Sequence, residues 1–83
     1  MNADMKRDIL RRIILELLTK DDLNYTVLEK QVCAISHQFV TINTFKLQLR
    51  YLLENGFVYR VSRGVYKISV KGKKYLDIYG FEK

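Results

Sequence analysis

The change at Asn55-Gly56 constrains this chain more than any other stretch. Before it, Ile42, Phe45, Leu49, Leu52 and Leu53 recur at helical spacing. After it, residues 57–61 and 65–68 are rich in β-branched and aromatic side chains and flank Ser62-Arg63-Gly64, a turn that needs its glycine. Gly56 supplies the left-handed stop that ends a helix. The spacing therefore predicts a helix over 41–54, capped by Thr41, that runs directly into a β-hairpin over 57–68.

Two helices precede it. Ile9, Leu10, Ile13, Ile14, Leu17 and Leu18 form a wide apolar stripe, which predicts a helix over 5–19. Thr26 and Glu29 have the T-x-x-E form of a capping box, and Leu28, Val32 and Ile35 follow on one face, which predicts a second helix over 26–35. Ser69 can cap a short last helix over 70–79 that holds Val70, Tyr75, Leu76 and Tyr79. The fold class is α+β: a three-helix core, a two-stranded hairpin and a short C-terminal helix. The second and third helices have the lengths and short connection of a helix-turn-helix.

The length of 83 residues suits a single domain over 1–83 with one core. A domain of this size buries only about 60% of its unfolded surface, so it often gains from a partner subunit. No apolar run approaches the ~18 residues of a membrane span, and the N-terminus lacks a secretory pattern, so the expected location is intracellular, in cytoplasm or nucleoid, with no membrane partner. Cys33 and His37 are each the only residue of their type. That excludes an internal disulfide and leaves a metal site short of ligands; no metal or cofactor is expected.

Charge is distributed unevenly. Residues 1–40 carry six basic and six acidic side chains, whereas residues 41–76 carry eight basic side chains against Glu54 alone, a net of +7. The whole excess of +6 therefore comes from the second half. Such asymmetry favours a polyanionic partner.

Two runs carry a resemblance. The first is Thr41, Thr44-Phe45, Leu49, Leu52 and then Glu54-Asn55-Gly56-Phe57-Val58; the second is Tyr66-Lys67-Ile68-Ser69-Val70-Lys71-Gly72-Lys73-Lys74-Tyr75-Leu76. In these runs, and in their order and distance, residues 5–79 resemble the winged-helix transcription regulators, most nearly the very small single-domain regulators of archaea and their viruses and plasmids. The resemblance implies a winged helix-turn-helix whose third helix reads DNA and whose hairpin is the wing. A short wing and the apolar Leu47 depart from the family pattern.

On that third helix Asn43, Lys46, Leu47 and Arg50 point away from the apolar stripe, as base contacts in a major groove would. Asn suits adenine, Arg or Lys suits guanine, and Leu47 can pack on a thymine methyl or belong to a protein contact. Thr41 and Thr44, near the helix start, suit phosphate oxygens. Arg60, Arg63 and Lys67 on the hairpin and Lys71, Lys73 and Lys74 on the last helix are candidate backbone contacts. Charges on a hairpin also deter strand-to-strand aggregation, and lysines on a helix face also serve solubility.

The first helix looks more apolar than one small core needs, with Ile9 and Leu18 on opposite edges of its stripe. Together with Tyr75, Ile78, Tyr79 and Phe81 they are candidates for a two-fold dimer seam, which would suit a near-palindromic site. The alternative is that this surface completes the monomer's own core. Cys33 suits packing as a small hydrophobe, with an intersubunit disulfide or redox role as the alternative. His37 suits a polar loop or a phosphate contact.

Nothing in the chain suits an enzyme: it has no Gly-rich phosphate loop followed by Lys-Ser/Thr, no His pair, and, with one His in the chain, no evident Ser/His/Asp set. No small-molecule ligand is expected. The leading expectation is a dimeric, sequence-specific regulator of transcription that binds double-stranded DNA, a repressor since no activation segment is evident. The rival is a protein-interaction adaptor that uses Leu47 and Tyr51.

Overall fold

The computed structural model describes the backbone of residues 3–36 and 41–79 and the side chains within 5–35 and 41–79. His37 and Phe81 lie outside the described residues. In chain order the elements are α1 (Ala3–Lys20), β1 (Leu23–Asn24), α2 (Tyr25–Ser36), α3 (Ile42–Glu54), β2 (Val58–Ser62), β3 (Val65–Ile68) and α4 (Val70–Tyr79). Among the described residues, four helices thus accompany an antiparallel sheet of order β1-β3-β2, an α+β arrangement.

The wide apolar stripe of α1 makes it the central element, packed on α2, α3, α4 and β3. Leu10, Ile13, Ile14, Leu15 and Leu18 are all buried. This corrects the expectation for Leu18: at 2% exposure it belongs to the monomer's core and has no surface to give a dimer seam. Ile9, on the opposite edge, packs partly buried against the same core. A helix with neighbours on four sides needs a stripe that broad.

At the start of α2 the expected capping box gives way to another cap. Asn24 Oδ1 accepts a hydrogen bond from the Val27 amide at 2.9 Å, while Thr26 is exposed inside the first turn. Asn24 is drawn into place because Leu23 and Asn24 pair with Tyr66 and Val65 as a third strand, which was too short to leave a period in the sequence. Asn24→Ala should cost about 1 kcal/mol in a urea titration, the usual value of an N-cap, whereas Thr26→Ala should change stability by less than about 0.5 kcal/mol.

The α3 helix follows its expected bounds. Thr41 Oγ1 accepts from the Thr44 amide at 3.1 Å. At the other end the Phe57 amide donates to Leu52 O and the Gly56 amide to Leu53 O, a Schellman stop made possible by Gly56 at φ +78°. Phe45, Leu49 and Leu52 are buried, and Phe45 meets the Tyr25 ring edge-on with centroids 5.5 Å apart. Ile35 and Ile42, placed by periodicity on apolar faces, are instead more than half exposed. They occupy the last turn of α2 and the first turn of α3.

Strands β2 and β3 pair from Val58↔Ile68 to Ser62↔Val65, with Val61 as an extra residue on β2 and Gly64 at φ +72° in the turn. Ser69 caps α4 through the Gly72 amide and donates its own hydroxyl to Gly56 O, which ties α4 to the end of α3. The α4 helix is then fixed to α1 by matched bonds: Tyr75 Oη donates to Asp8 at 2.9 Å and Arg12 to Tyr79 O at 3.0 Å.

Burial pushes the Tyr75 phenol up to about 12, and its hydrogen bond to Asp8 adds to the rise. An unfolded tyrosine ionises near 10.0. Between these values the folded chain keeps a proton that the unfolded chain has lost, so the contribution is complete below pH ~10 and disappears as pH rises through ~12. Tyr75→Phe should flatten the alkaline fall of stability relative to the parent, measured as urea midpoints across that window.

Candidate nucleic-acid interface

The roll of α3 about its own axis is set by α1. Arg11 Nε donates to Gln48 Oε1 at 2.8 Å, and Gln48 is the buried polar residue of the core at 5% exposure. Leaving that amide unpaired would cost about 1–3 kcal/mol, so the bond holds one orientation of the helix. The same guanidinium lies 3.6 Å over the Tyr51 ring. With the Gln48 and Tyr51 side turned to α1 and the Phe45 and Leu52 side turned to the core, the remaining arc faces outward. Asn43, Lys46, Leu47 and Arg50 all lie on that arc and are exposed, as the sequence predicted. By the ~100° turn per residue, Lys46 and Arg50 lean to one side of Asn43 and Leu47 to the other.

The side toward which Lys46 and Arg50 lean is concave. A cavity of about 490 Å³ opens there between α3, the start of α2 and the β2–β3 hairpin. Lys46, Arg50 and Arg60 line it together with Tyr25 and Tyr66, and Leu49 and Leu53 form its apolar floor. Strand alternation explains the hairpin's share. Arg60 pairs with Tyr66 on the face that also carries the buried Val58 and Ile68, and so it projects over the cavity. Tyr25 is pinned from the other side by its amide, which donates to Gly64 O at 2.9 Å. Burial, and then the neighbouring Glu29 carboxylate, raise the Tyr25 phenol above its ordinary pKa.

The other cations named from sequence are not brought to this cavity. Arg63 sits exposed in the hairpin turn. Lys67 pairs with Tyr59 on the opposite face of the hairpin from Arg60. Lys71 Nζ donates to Asn55 O at 2.7 Å and lies 4.8 Å from the Phe57 ring centre. A cation there satisfies the C-terminal end of the α3 dipole, which gives Lys71 a local stabilising role. Lys73 and Lys74 are exposed on α4, whose start adjoins the end of α3 about 18 Å from Asn43 at ~1.5 Å rise per residue. The Thr41 and Thr44 hydroxyls, 2.9 Å apart, bond to each other as part of the cap.

Of the dimer-seam candidates, Ile78 and Tyr79 are exposed at 69% and 54%, and Tyr75 is half-buried between Phe57 and Tyr79. Cys33 is a free, half-buried thiol on α2. Among the described residues no helix is long and apolar enough to cross a membrane, and no group of three or more His, Cys, Asp or Glu could hold a metal ion.

No protein-family model, curated protein or solved structure matches the chain. Its function is therefore read from the arrangement of these side chains. Sequence reasoning missed Tyr25 and Tyr66, which reach the cavity only through tertiary contacts. It also missed Arg11 and Gln48; Gln48 left one faint signal, a polar residue at the edge of an apolar stripe.

Proposed function

We propose that this chain is a winged helix-turn-helix protein that binds double-stranded DNA with sequence specificity and regulates transcription, acting as a repressor. In this reading α2 and α3 form the helix-turn-helix, α3 is the recognition helix and the β2–β3 hairpin is the wing. The observation that carries it is the outward arc of α3. Asn43, Lys46, Leu47 and Arg50 share one exposed face of a helix whose roll is locked by Arg11, in the half of the chain that carries the net +7. A major groove admits one such helix and presents partners for these side chains.

Selection of bound sequences from a random duplex pool tests the proposal, and an enriched motif is the expected outcome. Asn43→Ala should then relax preference at one base pair by about 1–3 kcal/mol without altering the salt dependence of binding. A symmetric dimer through Ile9, Tyr75, Ile78 and Tyr79 on the α1–α4 surface would make the motif near-palindromic, and sedimentation of Tyr79→Glu against the parent tests it.

The adaptor reading is weaker because Arg11 covers one face of Tyr51, which leaves Leu47 with a reduced apolar neighbour. It would gain if the pool gave no motif and the protein passed through a heparin column unretained.

A further inference from the structure

We propose that the cleft between α3 and the hairpin is a receptor for one phosphoryl group, held by Lys46, Arg50 and Arg60. The group can come from the backbone of a bound duplex, in which case the inference rests on the DNA-binding reading, or from a free phosphate ester such as a nucleotide, in which case it does not.

Three observations lead there. The cleft gathers three cations and its lining contains no carboxylate. An ion pair joins Arg12 to Asp8 on α1, whereas none of the three cleft cations has an acidic partner among the described residues. Like charges on one concave surface repel, and a bound dianion or diester removes that repulsion. Secondly, the cleft at about 490 Å³ is larger than a phosphate requires and falls in the size range of small-ligand sites. Its walls add two tyrosines and its floor two leucines, surfaces on which a sugar or base can lie. Thirdly, the walls are held from outside the cleft. Tyr25 is bonded to the hairpin turn through Gly64 O and packs edge-on against Phe45, while Arg60 is set by its register opposite Tyr66. A receptor built on fixed elements loses little freedom on binding.

The assignment changes the division of labour on α3. Asn43 and Leu47 remain on the ridge for base edges, whereas Lys46 and Arg50, expected from sequence to read bases, turn to phosphate. Arg50 then contributes affinity rather than discrimination. It also admits a small phosphorylated ligand, which the sequence did not suggest.

The test uses the full chain in two arms. In the first, amide spectra are recorded while AMP is titrated at low salt, without DNA, into the parent, Arg60→Gln and Lys20→Gln, each checked for an unchanged fold by its own spectrum. Saturable shifts confined to residues around the cleft are expected, weakened at least tenfold by Arg60→Gln and less than twofold by Lys20→Gln, which removes the same charge from α1. In the second arm, duplex affinity is measured against salt. Arg60→Gln should lower the slope of log affinity by about 0.9, one phosphate, and leave the ranking of duplex sequences unchanged. A positive first arm identifies a free ester as a source, and a positive second arm alone identifies the duplex backbone. AMP binding that persists in a chain with no duplex affinity would keep the cleft and discard the DNA-binding reading. Shifts spread over all basic residues, or no AMP binding, together with an unchanged salt slope in Arg60→Gln, would overturn the proposal.

Discussion

Gly72→Ala should lower stability by about 3 kcal/mol, the upper range for overpacking, and reduce Tm by more than about 10 °C. A Cβ at this position would lie 2.4 Å from Phe57 O and 2.7 Å from Ile68 Cγ1. The first obstacle is backbone and cannot swing aside. Phe57 O also accepts the Ser69 amide at 3.0 Å, so displacing it would break the bond that seats α4 against the hairpin. Total stability of a domain this size is about 4–12 kcal/mol, so the loss is a large fraction of it. Gly64→Ala is the comparison. Nothing lies within 4 Å of its added Cβ, but φ is +72°, so only left-handed strain of about 1–2 kcal/mol is expected. Urea unfolding of the two variants should rank them in that order. The reverse order would mean that α4 does not sit on Phe57 and Ile68 as described.

The second large effect is on binding. Replacing Lys46, Arg50 and Arg60 together by Gln should reduce the salt slope of duplex affinity by about 0.9, the one phosphate that the three side chains share, and lower the affinity at ~0.1 M salt by about tenfold. All three side chains are exposed and have no acidic partner among the described residues, so the far-ultraviolet spectrum should not change. The pair Lys73→Gln with Lys74→Gln removes charge from the far end of α3 and should lower the slope by less than about 0.5. Measured slopes that scale only with the number of charges removed would show that net charge, not the cleft, governs binding.

Much of this architecture was legible locally. Thr41, the Leu spacing and Gly56 marked both ends of α3 because caps and stops depend on a few adjacent residues. Ser69 marked the start of α4. The exposed arc of Asn43, Lys46, Leu47 and Arg50 was legible too, since helical geometry alone separates it from Phe45, Leu49 and Leu52. The cap of α2 was misplaced at Thr26 because Asn24 acquires its position from pairing with β3, more than forty residues away.

By itself, then, the order of residues determined the order and type of the four helices and the hairpin, both ends of α3, the start of α4, and the concentration of positive charge after residue 40. Tertiary structure alone decided that Leu18 is core, that Lys71 closes the end of α3, and that Arg60 joins Lys46 and Arg50 in one cleft while Lys67 turns away. The reason is the range of the interactions. Periodicity, capping and turns act over a few residues and leave their mark in the chain, whereas the number of neighbours around α1 and the face a strand turns inward depend on contacts between distant segments.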